Sequence, residues 1–339
     1  MPDFTLKQVT TATGAKVYKA VDRGFTDVIT DTRKIEKGML FVALKGEKFN
    51  GDDFAAQAVE KGAAGVVVSM NCPVRVMDGM LATVFRVEDT LLAYQQLAHA
   101  WRTRFTIPVI AVTGSNGKTT TKDLIAAILS SRWNVLKTQK NFNNEIGLPL
   151  TLLQMRAHHE AAVVEMGMRG FNQITALAKI AEPKIGIVTN VGETHMELLG
   201  SLENIAKAKA EMVKAIPAEG SVILNADDRY VAAMKIDAKA KVLTFGLELP
   251  ADVKGSEIRT EGEKTRFHCS FGKNDREFVL PMVGRHNIYN ALAAIAVGFS
   301  LGFNGEEIQR GLDGFTATEM RFEYKKVKDY KVIDDSYNA

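Results

Sequence analysis

The sequence predicts an α/β protein, with a small N-terminal α/β domain followed by a central, mostly parallel sheet carrying helices on both faces. Three observations lead there. Short β-branched apolar runs recur from residue 109 onward, separated by stretches with helical apolar spacing, the rhythm of strands joined by crossover helices. The first of these junctions, PVIAVTGSNGKTTTKDLIAAIL, reads as strand, glycine loop and helix. Residues 1–106 carry short strands and helices of their own, and at 339 residues the chain has length for two or three domains.

In chain order, the N-terminal part predicts strands at Asp27–Thr30, Met39–Leu44 and Gly65–Ser69, with a helix over Asp52–Lys61. A helix over Glu88–Arg104 leads through Thr106-Ile107-Pro108, and the proline marks a domain boundary there. The central domain, 107–320, opens with a strand at Val109–Val112 and a helix on which Leu124, Ile125, Ile128 and Leu129 share a face. Further strands are read at Val135-Leu136, Ala161–Glu165, Lys184–Val191, Ser221–Asn225 and Lys241–Phe245, and a helix at Leu202–Ile216. From Glu257 to Leu280 the pattern becomes charged, alternating and glycine-punctuated, as antiparallel strands appended at a sheet edge would be. Gly284–Gly302 returns to helix, and 321–339 reads as the start of a third domain.

Forty-three basic against forty acidic side chains give a formal charge of +3 with no basic block, so nucleic acid is not an expected partner. Cys72 and Cys269 stand alone without metal-ligand spacing, as in a reducing compartment. The N-terminus MPDFTLKQVT lacks the basic flank and apolar centre of a signal peptide. The apolar run Ala291–Phe299 is far short of the roughly 20 residues a membrane span requires. A cytoplasmic monomer without membrane insertion is the expectation.

The chemistry is concentrated in Gly114-Ser115-Asn116-Gly117-Lys118-Thr119-Thr120. Two glycines let main-chain N–H groups turn around an anion, and the following helix offers its positive end. Lys118 supplies an ammonium for terminal phosphates, solvent-facing before nucleotide binds, and Thr119 a hydroxyl for Mg²⁺. The loop departs from G-x-x-x-x-G-K-[ST], which would require glycine where Val112 stands. A ligand-free tight turn is the competing reading, but it leaves Lys and Thr at the helix start unexplained.

Glu165 and His195 each follow an apolar run and so belong at carboxyl ends of parallel strands, the edge that carries the loop. A carboxylate there suits Mg²⁺; an imidazole is a less natural ligand, and a loop histidine bonded to its neighbours is equally consistent with the spacing. Asn141, Asn143 and Asn144 in KNFNNEIG either read a sugar or phosphate or cap the next helix. Lys207, Lys209 and Lys214 share one helix, where a lysine face is usually solvated. In the first domain Thr32-Arg33 and Lys45-Gly46 follow strands, a weak ligand signal against the default of a charged turn.

Together, GSNGKTTTK, NFNNEIGLPLTLL, EMGMRG, TNVGETHMELLGSLENIAKAKAEM, LNADD, GRHNIYNALAA and DDSYNA resemble, in this order and spacing, the ATP-dependent Mur ligases of peptidoglycan synthesis, whose fold is P-loop ATPase-like. Within the family the NNEIG and EMG segments are similar to the branch that joins D-alanyl-D-alanine to UDP-N-acetylmuramoyl-tripeptide. The resemblance implies that Gly114–Thr120 binds the β- and γ-phosphates of ATP and that Thr119 and Glu165 hold magnesium, with His195 on a second ion. Lys209 matches a lysine that related ligases carbamylate. Asn287 and Asn290 match residues contacting adenine, and Arg321 and Asp335 an arginine and a ribose-binding aspartate. Thr32, Arg33, Lys45 and Gly46 match the side that holds UDP, and Asn143 and Asn144 the substrate side.

The implied reaction is carboxyl activation by ATP to an acyl phosphate, then amide formation with D-alanyl-D-alanine. Family members continue past DDSYNA into a third α/β domain, whereas this sequence stops at Ala339, within the motif. The chain as it stands is therefore expected to bind both nucleotide-bearing substrates and to ligate the dipeptide slowly. Competing readings are a sibling ligase adding another amino acid, a folylpolyglutamate-type ligase, and a nucleotide-binding module without ligase activity.

Overall fold

The computed structural model describes residues 2–21, 24–316, 323–327 and 330–334. The chain divides into two compact units, one of residues 1–106 with 149–157 and one of 107–148 with 158–339. The boundary between Thr106 and Ile107 lies beside Pro108; the return of 149–157 to the first unit had no sequence signal. That segment brings the buried side chains Leu152, Leu153 and Met155, and the Met155 carbonyl accepts the indole N–H of Trp101 at 3.1 Å.

The first unit contains β1 (Phe4–Thr5), α1 (Leu6–Thr13), β2 (Lys16–Lys19), β3 (Gly24–Phe25), β4 (Val28–Ile29), β5 (Leu40–Val42), α2 (Ala55–Glu60), β6 (Gly65–Ser69), α3 (Val74–Met77), β7 (Thr83–Val87) and α4 (Thr90–Arg102). Five strands form a sheet in the order β2-β7-β6-β5-β4, parallel except for β2. Phe41, Val66, Val68 and Val84 on one face pack with Ala55, Ala58 and Met77. The helix predicted over Asp52–Lys61 begins as a 3₁₀ turn at Gly51–Phe54, because Asn50 caps it and Asp52 turns back to accept the N–H and hydroxyl of Ser69. β2 and β7 were not read from sequence: Lys16–Lys19 is an exposed edge with no apolar run.

The second unit contains β8 (Val109–Thr113), α5 (Lys118–Ser130), β9 (Val135–Lys137), α6 (Gly147–Leu153, which crosses into the first unit at Pro149), β10 (Ala161–Glu165), α7 (Gln173–Ala181), β11 (Ile185–Val188), α8 (Met196–Leu199), α9 (Leu202–Ala215), β12 (Ser221–Asn225), α10 (Arg229–Ala233), β13 (Lys241–Gly246), β14 (Val253–Glu261), β15 (Lys264–Phe271), β16 (Asn274–Leu280), α11 (Arg285–Ser300) and α12 (Gly305–Asp313). A separate antiparallel hairpin pairs β17 (Glu323–Val327) with β18 (Tyr330–Asp334). Nine strands make one sheet, β16-β15-β14-β13-β12-β11-β8-β10-β9. It is parallel from β9 to β14 and antiparallel over the last two pairs. β14 starts at Val253, four residues before the alternating pattern, and its first residues still pair in parallel with β13.

β8, β10 and β11 are buried along their whole lengths, which is why each reads as an unbroken apolar run. Their side chains divide the core. Ile110, Val112, Ile185 and Ile187 pack with Leu124 and Ile125 of α5 and Leu292 and Ile295 of α11. Gly186, on the opposite face, meets Met212 and Ile216 at the end of α9. Helices thus cover both faces. The order places β8 between β10 and β11, so the chain leaves β8 towards one side and later returns on the other. That switch point opens a crevice at the carboxyl ends of the strands. Register brings Glu165 opposite Val112 and Val188 opposite Thr113 at that edge.

Candidate active site

β8 ends at Thr113 and the chain turns through Gly114 and Gly117 into α5. Gly117 has φ 78°, and a Cβ there would lie 2.3 Å from Asn290 Oδ1. Gly114 leaves even less room, with Thr189 Oγ1 1.9 Å from the position of its Cβ. The glycines therefore serve turn geometry and close packing together. Gly117→Ala is expected to cost about 1–3 kcal/mol in backbone strain alone and to weaken nucleotide binding. Thermal melting and an ADP titration check this, and an unchanged melting temperature would contradict the packing.

The start of α5 presents Lys118, Thr119 and Thr120, whose N–H groups head the helix where its dipole is positive. Thr119 is buried and its hydroxyl donates to Glu165 Oε2 at 2.8 Å. The other oxygen, Oε1, accepts from Asn143 Nδ2 at 2.8 Å, so the carboxylate is held from both sides. Asn144 has a different task. Its Oδ1 accepts the N–H groups of Ile146 and Gly147 and caps α6. The capping reading of the asparagine loop thus holds for Asn144, whereas Asn143 is committed to the Glu165 carboxylate.

Lys118 is half-buried rather than solvent-facing. Its Nζ donates to the carbonyls of Gly114 and Ser115, both at 3.0 Å, because a lysine at this helix start lies over the carbonyls of its own loop. Of the three lysines on α9, Lys207 and Lys214 are exposed and Lys209 is 2% exposed. Burial, and then the positive charge of Lys118, pull the Lys209 amine from the ordinary 10.5 down to about 7. His195 stands in the left-handed region, φ 59°, as the residue before α8. Partial burial, then Lys209 and Lys118, lower its pKa and favour the neutral imidazole.

A magnesium ion suits part of this set. The Thr119 hydroxyl and Glu165 carboxylate are hard oxygen donors in contact with one another beside the glycine loop, and Mg²⁺ ordinarily takes its remaining ligands from water and phosphate. Among the described residues no three His, Cys, Asp or Glu side chains converge as a metal cage. An ion near His195 and Lys209 would thus need an added oxygen donor.

A cleft of about 810 Å³ adjoins the loop, lined by Asn116, Asn190, Asp227, Tyr230, Tyr289 and Asn290 among others. Asn290 Oδ1 accepts from Thr121 at 3.2 Å, and Asn287 donates to the Val283 carbonyl at 2.8 Å. Both amides are buried at the start of α11. Arg321 and Asp335 lie outside the described residues.

In the first unit Thr32 and Arg33 form a 3₁₀ turn after β4, where Arg33 is 86% exposed and pairs with Asp31 at 2.8 Å. That guanidinium holds the Asp31 carboxyl down at about 2. Lys45 bridges to Asn50 and Gly46 N–H donates to the Phe49 carbonyl, making a tight exposed loop.

Sequence reasoning missed three groups. Lys122 is buried one turn into α5 and donates to the Thr138 carbonyl at 2.7 Å, while Thr138 Oγ1 accepts the Glu165 N–H. Asp227 accepts from three successive main-chain N–H groups, Leu247 to Leu249, and from the Tyr289 hydroxyl. Thr189 and Asn190 contact the glycine loop directly at Asn116. For the last pair a signal was present, since polar residues directly after an apolar strand belong at this edge.

Comparison with known proteins agrees with this geometry. Residues 112–298 match the Mur ligase middle domain, and residues 25–102 match the Mur ligase family catalytic domain. The chain is 44% identical over 321 residues to the UDP-N-acetylmuramoyl-tripeptide–D-alanyl-D-alanine ligase of Synechocystis sp., covering 94% of this chain and 67% of that one. A crystal structure of MurF from Acinetobacter baumannii superposes with a TM-score of 0.93 at 32% identity, over 100% of this chain and 74% of that one. MurF ligase from Thermotoga maritima in complex with ADP gives 0.83 at 27%, over 92% and 71%. No helix among the described residues is long and apolar enough to cross a membrane. With two domain models matched in sequence and a 44% identical relative aligned over 94% of this chain, the chain belongs to the Mur ligase family.

Proposed function

We propose that the chain is an ATP-dependent ligase that joins D-alanyl-D-alanine to UDP-N-acetylmuramoyl-tripeptide in the cytoplasmic synthesis of peptidoglycan precursor. The observation that carries the proposal is the Thr119–Glu165 contact of 2.8 Å, next to Lys118 and at the carboxyl edge of β8 and β10. Relatives named for this activity, one of them 44% identical, favour it over the sibling and folylpolyglutamate-type ligases.

In this reading Gly114 to Thr120 carries the ATP phosphates, Asn287 and Asn290 contact adenine, and Arg321 and Asp335 are assigned to the nucleotide by resemblance alone. Thr32, Arg33, Lys45 and Gly46 hold the UDP end in the 1–106 domain, and Asn143 and Asn144 border the peptide. Thr119 and Glu165 would hold one Mg²⁺; His195 and Lys209, the latter as a carbamate, would hold a second. When bound, the ions neutralise charge on the transferring phosphoryl group.

The substrate carboxylate oxygen attacks the γ-phosphorus, the bridging P–O bond breaks, and ADP leaves. The amine of D-alanyl-D-alanine, having lost its proton, then attacks the acyl carbon and phosphate departs as the amide forms. Phosphoryl transfer of this kind depends on positioning and charge, which is what Lys118 and the helix N-terminus supply. Glu165 is held beside the loop by hydrogen bonds from Thr119 and Asn143.

The test is ADP release from ATP with UDP-tripeptide, in the presence and absence of D-alanyl-D-alanine. Release that depends on the tripeptide, and a new amide that appears only with the dipeptide, is the expected result. Release indifferent to the tripeptide would overturn the substrate assignment.

A further inference from the structure

We infer that Asn190 is a positioning residue for the triphosphate: its side chain fixes the Asn116 peptide and so decides which main-chain N–H groups the phosphate loop can offer. The inference rests on the reading of Gly114 to Thr120 as the ATP phosphate site and names a residue from outside that motif, 74 positions further along the chain.

Asn190 is placed two residues past the end of β11, whose register sets Val188 opposite Thr113. Its carboxamide takes both main-chain groups of one residue. Oδ1 accepts the Asn116 N–H at 2.8 Å, and Nδ2 donates to the Asn116 carbonyl at 3.0 Å. The Asn190 carbonyl accepts the Ser115 N–H at 3.0 Å, and the Thr189 hydroxyl donates to the Asn116 carbonyl at 2.6 Å. Ser115 adds a side-chain latch, accepting the Gly192 N–H at 2.8 Å and the Thr194 hydroxyl at 3.0 Å. The loop tip is thereby bonded to every residue but Val191 and Glu193 in the stretch 189–194, which leads straight to His195.

Two consequences follow. The N–H groups of Ser115 and Asn116 are committed to Asn190, while the Thr121 N–H closes the first helical bond to the Gly117 carbonyl. The donors left to face an anion are those at the head of α5, on Gly117 to Thr120, together with the Lys118 ammonium. A bidentate carboxamide also holds the Asn116 peptide plane in one orientation, and preorganised donors are what make such a site effective. Loss of Asn190 should therefore cost affinity in proportion to the phosphates a ligand carries, because the nucleoside end meets other residues of the cleft.

The experiment compares the binding of ATP, ADP and adenosine by calorimetry in wild type, Asn190→Ala and Asn190→Asp, with melting recorded for each. Asn190→Asp keeps the acceptor for Asn116 N–H and the side-chain size, and sets an acceptor against the Asn116 carbonyl. It serves as the second variant if the alanine protein does not fold. The expected result is a loss of tenfold or more for ATP and ADP with adenosine changed less than twofold, and with aspartate at least as damaging as alanine. Equal losses for all three ligands, or a ratio of ATP to adenosine affinity unchanged from wild type in both variants, would overturn the inference. A wild type that does not distinguish ATP from adenosine would instead refute the phosphate-loop reading beneath it.

Discussion

Lys118→Ala is expected to lower ATP-dependent turnover by about 10²–10³-fold, the size of effect seen when one preorganised charge partner of a transition state is removed. The folded protein should survive the change. The Nζ bonds two carbonyls of its own loop, and hydrogen bonds of this kind are each worth about 0.5–1.5 kcal/mol net, or more to a charged donor. Against that loss, removing Lys118 relieves the repulsion that its charge adds to burial in lowering the Lys209 and His195 pKa values. Turnover and melting measured on the same preparation check this. Unchanged turnover would refute the role on phosphate, and collapse of the fold would make the loop structural.

Lys209 should carry the second large effect. Burial, and then the neighbouring Lys118 cation, leave this amine about half deprotonated at pH 7, and the free amine is the form that adds CO₂. Addition forms an N–C bond and releases a proton, turning a buried base into an anionic oxygen donor of the kind magnesium prefers. Bicarbonate labelled with ¹³C should give a carbamate signal that Lys209→Ala lacks, and that variant should lose activity by about 10²-fold or more, partly restored by small carboxylic acids. Full activity in the variant, or no signal at high bicarbonate, would contradict the assignment.

The same burial sets a pH dependence in CO₂-free buffer. The folded pKa is depressed from 10.5 to about 7, so between those values the unfolded chain binds more protons and stability rises with pH. The burial penalty is complete below about pH 7 and gone above 10.5. Lys209→Met should therefore stabilise the protein most near pH 6 and converge with wild type towards pH 10.5. A difference constant across that range would place the lysine in water.

How much of this was legible follows from burial. β8, β10 and β12 have apolar interiors because helices cover both faces of the sheet, and each appears in the sequence as a run whose final residue needs little adjustment. β2 is an exposed edge, and α12 is a short helix whose capping box, Asn304 with Glu307, was readable but went unread. Of the candidate site, residues within one motif were found, since Lys118 and Thr119 sit where a helix begins. Glu165 came from its place at a strand end. Lys209 was not separable from Lys207 and Lys214 by periodicity, because its burial depends on what packs over α9 rather than on its own spacing. Asn190, Thr138 and Lys122 reach the site through pairings between distant parts of the chain, which no local pattern records.

The central claim is that this site activates a carboxylate with ATP. The most direct measurement uses UDP-N-acetylmuramoyl-tripeptide labelled with ¹⁸O in the accepting carboxylate, ATP and D-alanyl-D-alanine, with protein in excess so that a single turnover is read. Attack on the γ-phosphorus carries one substrate oxygen into the acyl phosphate, and displacement by the amine leaves that oxygen on phosphate. The account predicts one ¹⁸O in the inorganic phosphate released for each amide formed, with ADP as the other product. Unlabelled phosphate, or AMP and pyrophosphate in place of ADP, would contradict it.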